Sequence, residues 1–167
     1  WIEQGARALG ICQPLQAADY AYRKRTQARA IVNQLLAEKV LVEVEARLCD
    51  GEAQQMIVHR DNQALLEQAA EGAINPRRTT FLSPFDNLFW ARGRDQQLWG
   101  FRNVLEAYKP QPQRMWGYFG MPILNKDRLV GRFDPKLERQ NGKLRLKGLY
   151  LEPGVQPDEE FVQDIAG

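Results

Sequence analysis

The apolar residues of this chain change their spacing near residue 103, and this change limits the folds that the chain can adopt. Before it, most apolar residues recur every three or four positions, as in amphipathic helices. From Asn103 onward they alternate with polar residues, as in strands with one buried face. A chain of 167 residues has room for one domain of ordinary size or two small ones. We therefore expect an α+β protein.

The first 71 residues predict three helices, a β hairpin and a fourth helix. The expected helices cover residues 1–9, 15–22, 26–39 and 61–71, with Thr26 as the N-cap of the third. Strands are expected at residues 40–45 and 55–58, and the turn dipeptide Asp50-Gly51 joins them. Three helices followed by a β ribbon is the element order of a winged helix.

The third helix is the element expected to contact DNA in such a fold. Its apolar residues fall on one side, which leaves a small and polar opposite face. Short polar side chains on this helix read base edges, while neighbouring cations contact phosphates. The candidates are Arg29, Asn33 and Gln34 on the polar face, and Arg23, Lys24 and Arg25 before it. Winged helices that bind only protein, or serve as scaffolds, are the alternative.

A linker at residues 75–78 divides the chain into a first domain, 1–75, and a second, 76–167. Ser83 and Pro84 predict the start of a helix. On this helix Arg92 shares a face with apolar residues, and Trp90 lies on the other face. A buried-side arginine needs an anion and an exposed tryptophan often marks a contact surface, so both are DNA-binding candidates. Alternatively, Gly93 interrupts the helix and resets its phase.

The second domain predicts a curved antiparallel sheet with a cationic outer face. Strands are expected over residues 104–108, 114–124, 128–134 and 143–151. In the last two, basic residues alternate with apolar ones, which suits a phosphate backbone. The candidates are Arg128, Arg132, Lys143 and Arg145, together with Lys109 and Arg114 at a proline-stiffened hairpin tip. The alternative is that strand lysines only prevent edge-to-edge aggregation.

The charge distribution also favours a polyanionic partner. Residues 77–147 carry 15 Lys and Arg against 6 Asp and Glu, whereas the segments on either side are acidic. A strongly basic segment suits double-stranded DNA better than a neutral partner. A solvated basic surface without a ligand is the alternative.

Nothing in the sequence indicates catalysis by this chain. Two cysteines and one histidine, His59, cannot supply a structural zinc site, and no phosphate-binding glycine loop or nucleophile elbow occurs. We predict no catalytic residue, no metal and no cofactor. We expect His59 to lie at a strand end or against a phosphate. No apolar run is long enough to span a bilayer and no signal peptide is present, so we expect a cytoplasmic protein. We also expect a monomer.

Residues 81–155 resemble the C-terminal region of the YcaQ/AlkZ family of bacterial DNA glycosylases. The resemblance rests on LSPFDNL, W-x-R, LWGF, E-x-Y with a following proline, GY then MPIL, DRLVGR-x-D-P-K and L-x-L-EPGV, in that order. One departure is Ala91, where many members are expected to have an acidic residue.

This resemblance implies a longer protein in which tandem winged helices and a terminal β domain bind DNA in the bacterial nucleoid. The family excises N-alkylated purines and unhooks interstrand crosslinks with a Gln-x-Asp or Gln-x-Gln motif near its N-terminus. We expect that motif to lie upstream of Trp1, and we interpret Gln156-Pro157-Asp158 as a coincidence. The alternative is a transcription regulator with a winged helix and a β domain for ligand binding or dimerisation.

Overall fold

The computed structural model of the protein describes residues 1–166, which form two compact units. The first unit contains Trp1–Asn75 and Asn87–Phe101, and the second contains Pro76–Asp86 and the chain from Arg102 onward. Each unit combines helices with an antiparallel sheet, so the predicted α+β class is confirmed.

The first unit begins with three helices and a three-stranded sheet. Its elements are α1 (Ile2–Leu9), β1 (Ile11–Cys12), α2 (Gln16–Tyr20), α3 (Arg25–Ala37), β2 (Leu41–Arg47), β3 (Ala53–His59) and α4 (Gln63–Ala70). A later segment of the chain adds α5 (Arg94–Trp99). The strand order is β1-β3-β2, and all pairs are antiparallel.

Small residues let the first helices of this unit approach closely. Ala6, Ala17 and Ala28 are buried in one cluster with Val32 and Ile57. A Cβ atom at Gly5 would lie 2.6 Å from the carbonyl oxygen of Ala17, so only glycine fits this contact. The core therefore fixes α1, α2 and α3 against the sheet.

The segment Asn87–Phe101 packs in the first unit, although it follows the linker. Ala91 is buried in the first core, and the Cys49 N–H donates to the Gln97 carbonyl oxygen. The buried Arg94 guanidinium donates to the carbonyl oxygens of Leu9, at 2.7 Å, and of Ile11. Sequence spacing assigned this segment to the second domain because these partners lie far earlier in the chain.

The helix expected from Ser83 is interrupted. Residues Asn87–Phe89 form a single 3-10 turn, and α5 begins only at Arg94. Gly93, with φ +75°, adopts the left-handed conformation that precedes α5. Trp90 and Arg92 lie between this 3-10 turn and α5, outside any regular helix, so the two side chains do not share a helical face.

The second unit contains a four-stranded antiparallel sheet of strand order β4-β5-β6-β7 and one helix. The elements are β4 (Thr79–Phe81), β5 (Met121–Asn125), β6 (Arg128–Glu138), β7 (Lys143–Leu151) and α6 (Glu159–Ala166). Ile123, Val130, Phe133 and Phe161 form its buried core. The core lies at one end of the β6–β7 hairpin.

Residues 102–120 form an irregular connection, which we call the loop. Strands were expected at 104–108 and 114–124, but regular pairing begins only at Met121, and Gln111–Gln113 is a 3-10 turn. Buried carboxylates replace the missing sheet hydrogen bonds. Glu106 accepts from the Trp116 N–H at 2.7 Å, and Asp134 accepts from the N–H groups of Tyr118 and Phe119 at 3.1 and 3.0 Å.

The β6–β7 hairpin extends past the rest of the sheet. Beyond a register shift at Asp134/Pro135, β6 pairs only with β7. Residues 135–138 and 143–146 thus form a two-stranded ribbon, which we call the free ribbon. Leu137, Leu144 and Leu146 are exposed there, so the predicted apolar inner face does not continue along it.

No helix within residues 1–166 has the length and apolar character needed to cross a membrane.

Candidate nucleic-acid interface

A groove in the first unit collects the polar side chains of α3. Arg25, Arg29 and Asn33 follow one another at four-residue spacing, so they lie on one face of the helix. With Gln13 of the segment after β1 and Gln55 of β3, they line a groove of about 520 Å³. The groove offers amide and guanidinium groups, which are the donors and acceptors that proteins use on base edges and phosphates.

The apolar face of α3 matches its sequence pattern in part. Ala28 and Val32 are buried, whereas Ile31 is 44% exposed. Opposite them, Arg29, Asn33 and Gln34 are exposed, as the pattern predicted. The Gln34 amide donates to the Glu38 carboxylate at 2.8 Å, which leaves Arg29 and Asn33 as the more available groups of this face.

A second cleft of the first unit lies around the connection between α2 and α3. Tyr22, Arg23, Lys24 and Trp90 line it, together with Asp19, Arg25, Thr26 and Arg92. The Arg23 guanidinium lies 5.6 Å from the centre of the Trp1 ring. We call this the aromatic cleft, since Trp90 packs against both Tyr20 and Tyr22 within it.

The acidic residue of the aromatic cleft is neutralised by its neighbours. Asp19 Oδ1 accepts from Arg25 Nε at 2.9 Å, its Oδ2 is ion-paired with the same guanidinium, and the Arg92 N–H donates to it at 3.2 Å. Burial opposes ionisation of Asp19, but these donors outweigh it and hold the pKa of Asp19 below its ordinary value. The remaining side-chain charges of the cleft, on Arg23, Lys24 and Arg92, are positive.

A cationic cleft of the second unit lies where the loop meets the β6–β7 hairpin. Its volume is about 450 Å³, and its lining includes Arg114, Tyr118, Lys136, Lys147 and Tyr150. The Arg114 guanidinium lies 5.0 Å from the centre of the Tyr118 ring. Its Nε donates to the Lys109 carbonyl oxygen at 2.9 Å, which fixes the side chain over the loop. The arrangement suits a phosphate group beside an aromatic ring.

The free ribbon presents a row of charged residues on one face. The register places Lys136 opposite Arg145 and Glu138 opposite Lys143, and all four lie on the same face. The Arg145 guanidinium is 2.7 Å from Glu138, so its charge is partly neutralised. Lys136 and Lys143 are exposed, and within residues 1–166 neither ammonium lies at ion-pair distance from a carboxylate.

Arg132 requires a correction, because the sequence placed it on an exposed basic face. It is 2% exposed, and its guanidinium donates to the Arg102 carbonyl oxygen at 2.9 Å and to Glu152 at 2.7 Å. The same group lies 4.1 Å from the centre of the Trp116 ring. Arg132 therefore holds the loop to the sheet and cannot contact a ligand from this position.

The predicted hairpin tip around Lys109 is also different from expectation. Residues 109–114 are a turn inside the loop, not the end of a strand pair. Lys109 Nζ lies 2.7 Å from the buried carboxylate of Glu106. Burial by itself would raise the pKa of Glu106, yet the Lys109 ammonium and the Trp116 N–H hold that pKa below its ordinary value.

The other predicted basic residues divide between exposed and paired positions. Arg128 is exposed and lines a shallow cleft beside Lys126, which is paired with Glu160 at 3.2 Å.

The buried His59 accepts the Asp61 N–H at Nδ1, at 3.2 Å, and its Nε2 is 3.3 Å from Glu3. His59 is thus a strand-end residue inside the first unit and has no access to a phosphate.

Sequence reasoning missed four residues that line either the aromatic cleft or the cationic cleft. Tyr22 was read only as part of a helix, and Lys136, Tyr118 and Tyr150 were not singled out. A signal existed for Lys136, which continues the basic alternation of its strand. The tyrosines gave none, because their approach to cations depends on the loop and on the turn after α2.

A family model described as DNA glycosylase AlkZ-like matches residues 2–166, nearly the whole chain. No solved structure matches the chain.

Proposed function

The chain belongs to the AlkZ-like DNA glycosylase family, and from this premise we propose that it is the DNA-binding part of a glycosylase that removes N-alkylated purines. An N7-alkylated purine is cationic and already a good leaving group. Catalysis therefore needs a positioned water and a group that stabilises the positive charge developing on the sugar. A large share of such a protein can consequently serve to hold the damaged duplex.

The observation that carries this proposal is the set of exposed ammonium groups on the free ribbon and in the cationic cleft. Lys136, Lys143 and Lys147 are exposed, and within the described part of the chain none of them is ion-paired. A row of exposed cations without carboxylate partners on one ribbon suits a phosphate backbone. Because the chain belongs to a family of DNA glycosylases, we propose that this polyanion is DNA.

For the first unit we propose a winged helix in which α3 enters the major groove. Its element order, three helices and an antiparallel ribbon with β1 added to the sheet, supports this assignment. Arg29, Asn33 and Gln34 would face base edges or phosphates. Arg23 and Lys24 precede the helix and are exposed, whereas Arg25 is engaged by Asp19.

For the second unit we propose that the exposed cations contact DNA. Cations that are paired with carboxylates contribute less. Arg128 and Lys143 remain candidates, joined by Lys136 and Lys147, and Arg114 remains one as a half-buried residue. Lys109 and Arg145 are paired with carboxylates and would contribute less. Arg132 is withdrawn because it is buried.

Catalysis itself we assign to a segment outside this chain. In the YcaQ/AlkZ family, which the chain resembles, the Gln-x-Asp or Gln-x-Gln motif lies near the N-terminus, and we propose that it lies upstream of Trp1 here. A base joined to the opposite strand cannot swing out of the duplex freely. Contacts that reach the lesion within the duplex would therefore suit the unhooking of interstrand crosslinks, which is the finer activity proposed here.

The test is duplex binding by the chain at several salt concentrations. Contact with about four phosphates gives a slope of log K against log salt near −3.6, with little dependence on sequence. Binding that ignores salt, or no binding at low salt, would remove the cations as a DNA surface. Enrichment of one defined sequence from a random pool would instead favour the transcription regulator.

A further inference from the structure

Tyr22 occupies a backbone position at which glycine is usual. Helix α2 ends in a Schellman turn, because the Tyr22 N–H donates to the Asp19 carbonyl oxygen at 3.1 Å and the Arg23 N–H donates to that of Ala18 at 2.8 Å. This turn requires a left-handed residue, and Tyr22 has φ +52°. A side chain with a Cβ is disfavoured there relative to glycine, so the tyrosine destabilises the turn.

The left-handed backbone holds the Tyr22 side chain at the surface. Tyr22 is 78% exposed, and its ring meets Trp90 edge to face, at 5.5 Å and 68°. Trp90 is in turn 5.6 Å from Tyr20. The ring of Tyr22 is thus backed by an aromatic cluster of its own unit while most of its surface remains open to solvent.

Cations line the same cleft as the Tyr22 ring. Arg23 and Lys24 follow it directly and are exposed, and Arg92 lines the same cleft. The carboxylate of Asp19 is held by Arg25, so it does not repel an anion. The cleft has a volume of about 560 Å³, within the range of small-molecule sites.

We propose that the aromatic cleft binds an unpaired nucleotide of single-stranded DNA, with the base stacked on Tyr22 and the adjacent phosphate between Arg23 and Lys24. An exposed aromatic ring beside cations is the arrangement by which proteins hold single strands. In a duplex each base face is covered by the neighbouring base pair, so the Tyr22 ring cannot stack on a base unless the duplex is opened there. The proposal needs only that the protein acts on DNA, and it adds a second class of DNA ligand to the proposed duplex binding.

The experiment measures binding of the chain to two short oligonucleotides by fluorescence anisotropy. One is oligothymidylate, and the other has the same number of phosphates on abasic sugars. The wild type should prefer the oligothymidylate, because only that ligand can stack. Tyr22→Gly should reduce its affinity for oligothymidylate about tenfold and abolish the preference, whereas Tyr22→Phe should retain both.

Glycine at position 22 suits the left-handed turn, so misfolding does not explain a loss of binding by this variant. Lys39 gives a matched control, since it closes α3 in the same type of turn at φ +55°. Lys39→Gly should keep the preference for oligothymidylate. A wild type without that preference, or a Tyr22→Gly variant that retains it, would overturn the proposal. Duplex binding in the same assay distinguishes this proposal from the proposed function. If the wild type prefers oligothymidylate but binds no duplex, only the proposed function is contradicted.

Discussion

The two ends of the β6–β7 hairpin are built from the same strands and have opposite environments. At the sheet end, β5 pairs with β6, and Phe133 and Arg132 are both buried, on opposite faces of the strand. At the free end, the ribbon has no third strand, and Leu144 and Arg145 are both exposed. The alternation of apolar and basic residues is similar at both ends. Alternation therefore does not determine whether a basic face is solvated.

What separates the two ends is the loop of residues 102–120. It covers the polar face of β6 at the sheet end, where Arg132 reaches the Arg102 carbonyl oxygen and Asp134 accepts two loop N–H groups. Gly117 permits this contact, because a Cβ there would lie 2.1 Å from an Asp134 oxygen. No equivalent cover exists beyond Pro135 within the described residues, so the cations of the free ribbon remain available.

The largest expected effect compares Arg132→Ala with Arg145→Ala. Removing Arg132 leaves Glu152 and the Arg102 carbonyl without their donor and vacates a buried site, so we expect a loss of about 3 kcal/mol in the free energy of unfolding. Removing Arg145 breaks an exposed pair and should cost less than about 0.5 kcal/mol. Urea denaturation followed by circular dichroism measures both. Equal losses would mean that the two ends of the hairpin do not differ in the way described.

The sequence predicted the first unit better than the loop. Its helices lie close to their predicted positions, because Ala28 and Val32 repeat at helical spacing and the core is local. The strands β6 and β7 were predicted as well, from alternation and the Gly142 turn. The conformation of the loop was not predicted. It is held by side chains such as Glu106 and Asp134, which accept hydrogen bonds from backbone N–H groups distant in sequence.

The candidate site could be predicted only as a class of residue. Charge spacing identified the basic segment, and exposed positions such as Arg29 and Lys143 follow from it. Charge spacing could not distinguish the buried Arg132 from the exposed Arg145. Their partners, Glu152 and Glu138, are brought near them only by strand pairing. The burial of Arg94 could not be predicted from the sequence either, because its carbonyl partners belong to the start of the chain.

The next expected effect concerns the free ribbon alone. Lys136→Ala with Lys143→Ala should weaken duplex DNA binding by about 1 to 2 kcal/mol and make the salt slope shallower by about 1.8, since two phosphate contacts are lost. The melting temperature should hardly change, because both ammonium groups are exposed.

The control for that variant is Lys126→Ala, which removes a lysine of the same unit that is already paired with Glu160. It should leave DNA affinity nearly unchanged. If Lys126→Ala weakens binding by about half as much as the double ribbon variant does, the affinity reflects net charge and the free end of the hairpin has no special role.

The smallest expected effect tests whether the loop depends on an ion pair with a buried carboxylate, which the free ribbon lacks. Lys109→Met removes the ammonium beside Glu106, a group whose pKa the fold holds below its ordinary value of 4.5. A lowered pKa stabilises the fold above the ordinary value, and this stabilisation is lost as the pH falls through the folded-state pKa. Lys109→Met should therefore cost about 1 kcal/mol at pH 7 and progressively less on acidification below pH 4.5. Arg145→Ala, which breaks an exposed pair, should show a small loss throughout. Urea denaturation of the three proteins across this pH range measures the difference, and a loss for Lys109→Met that is the same at every pH would show that the Glu106 charge does not hold the loop.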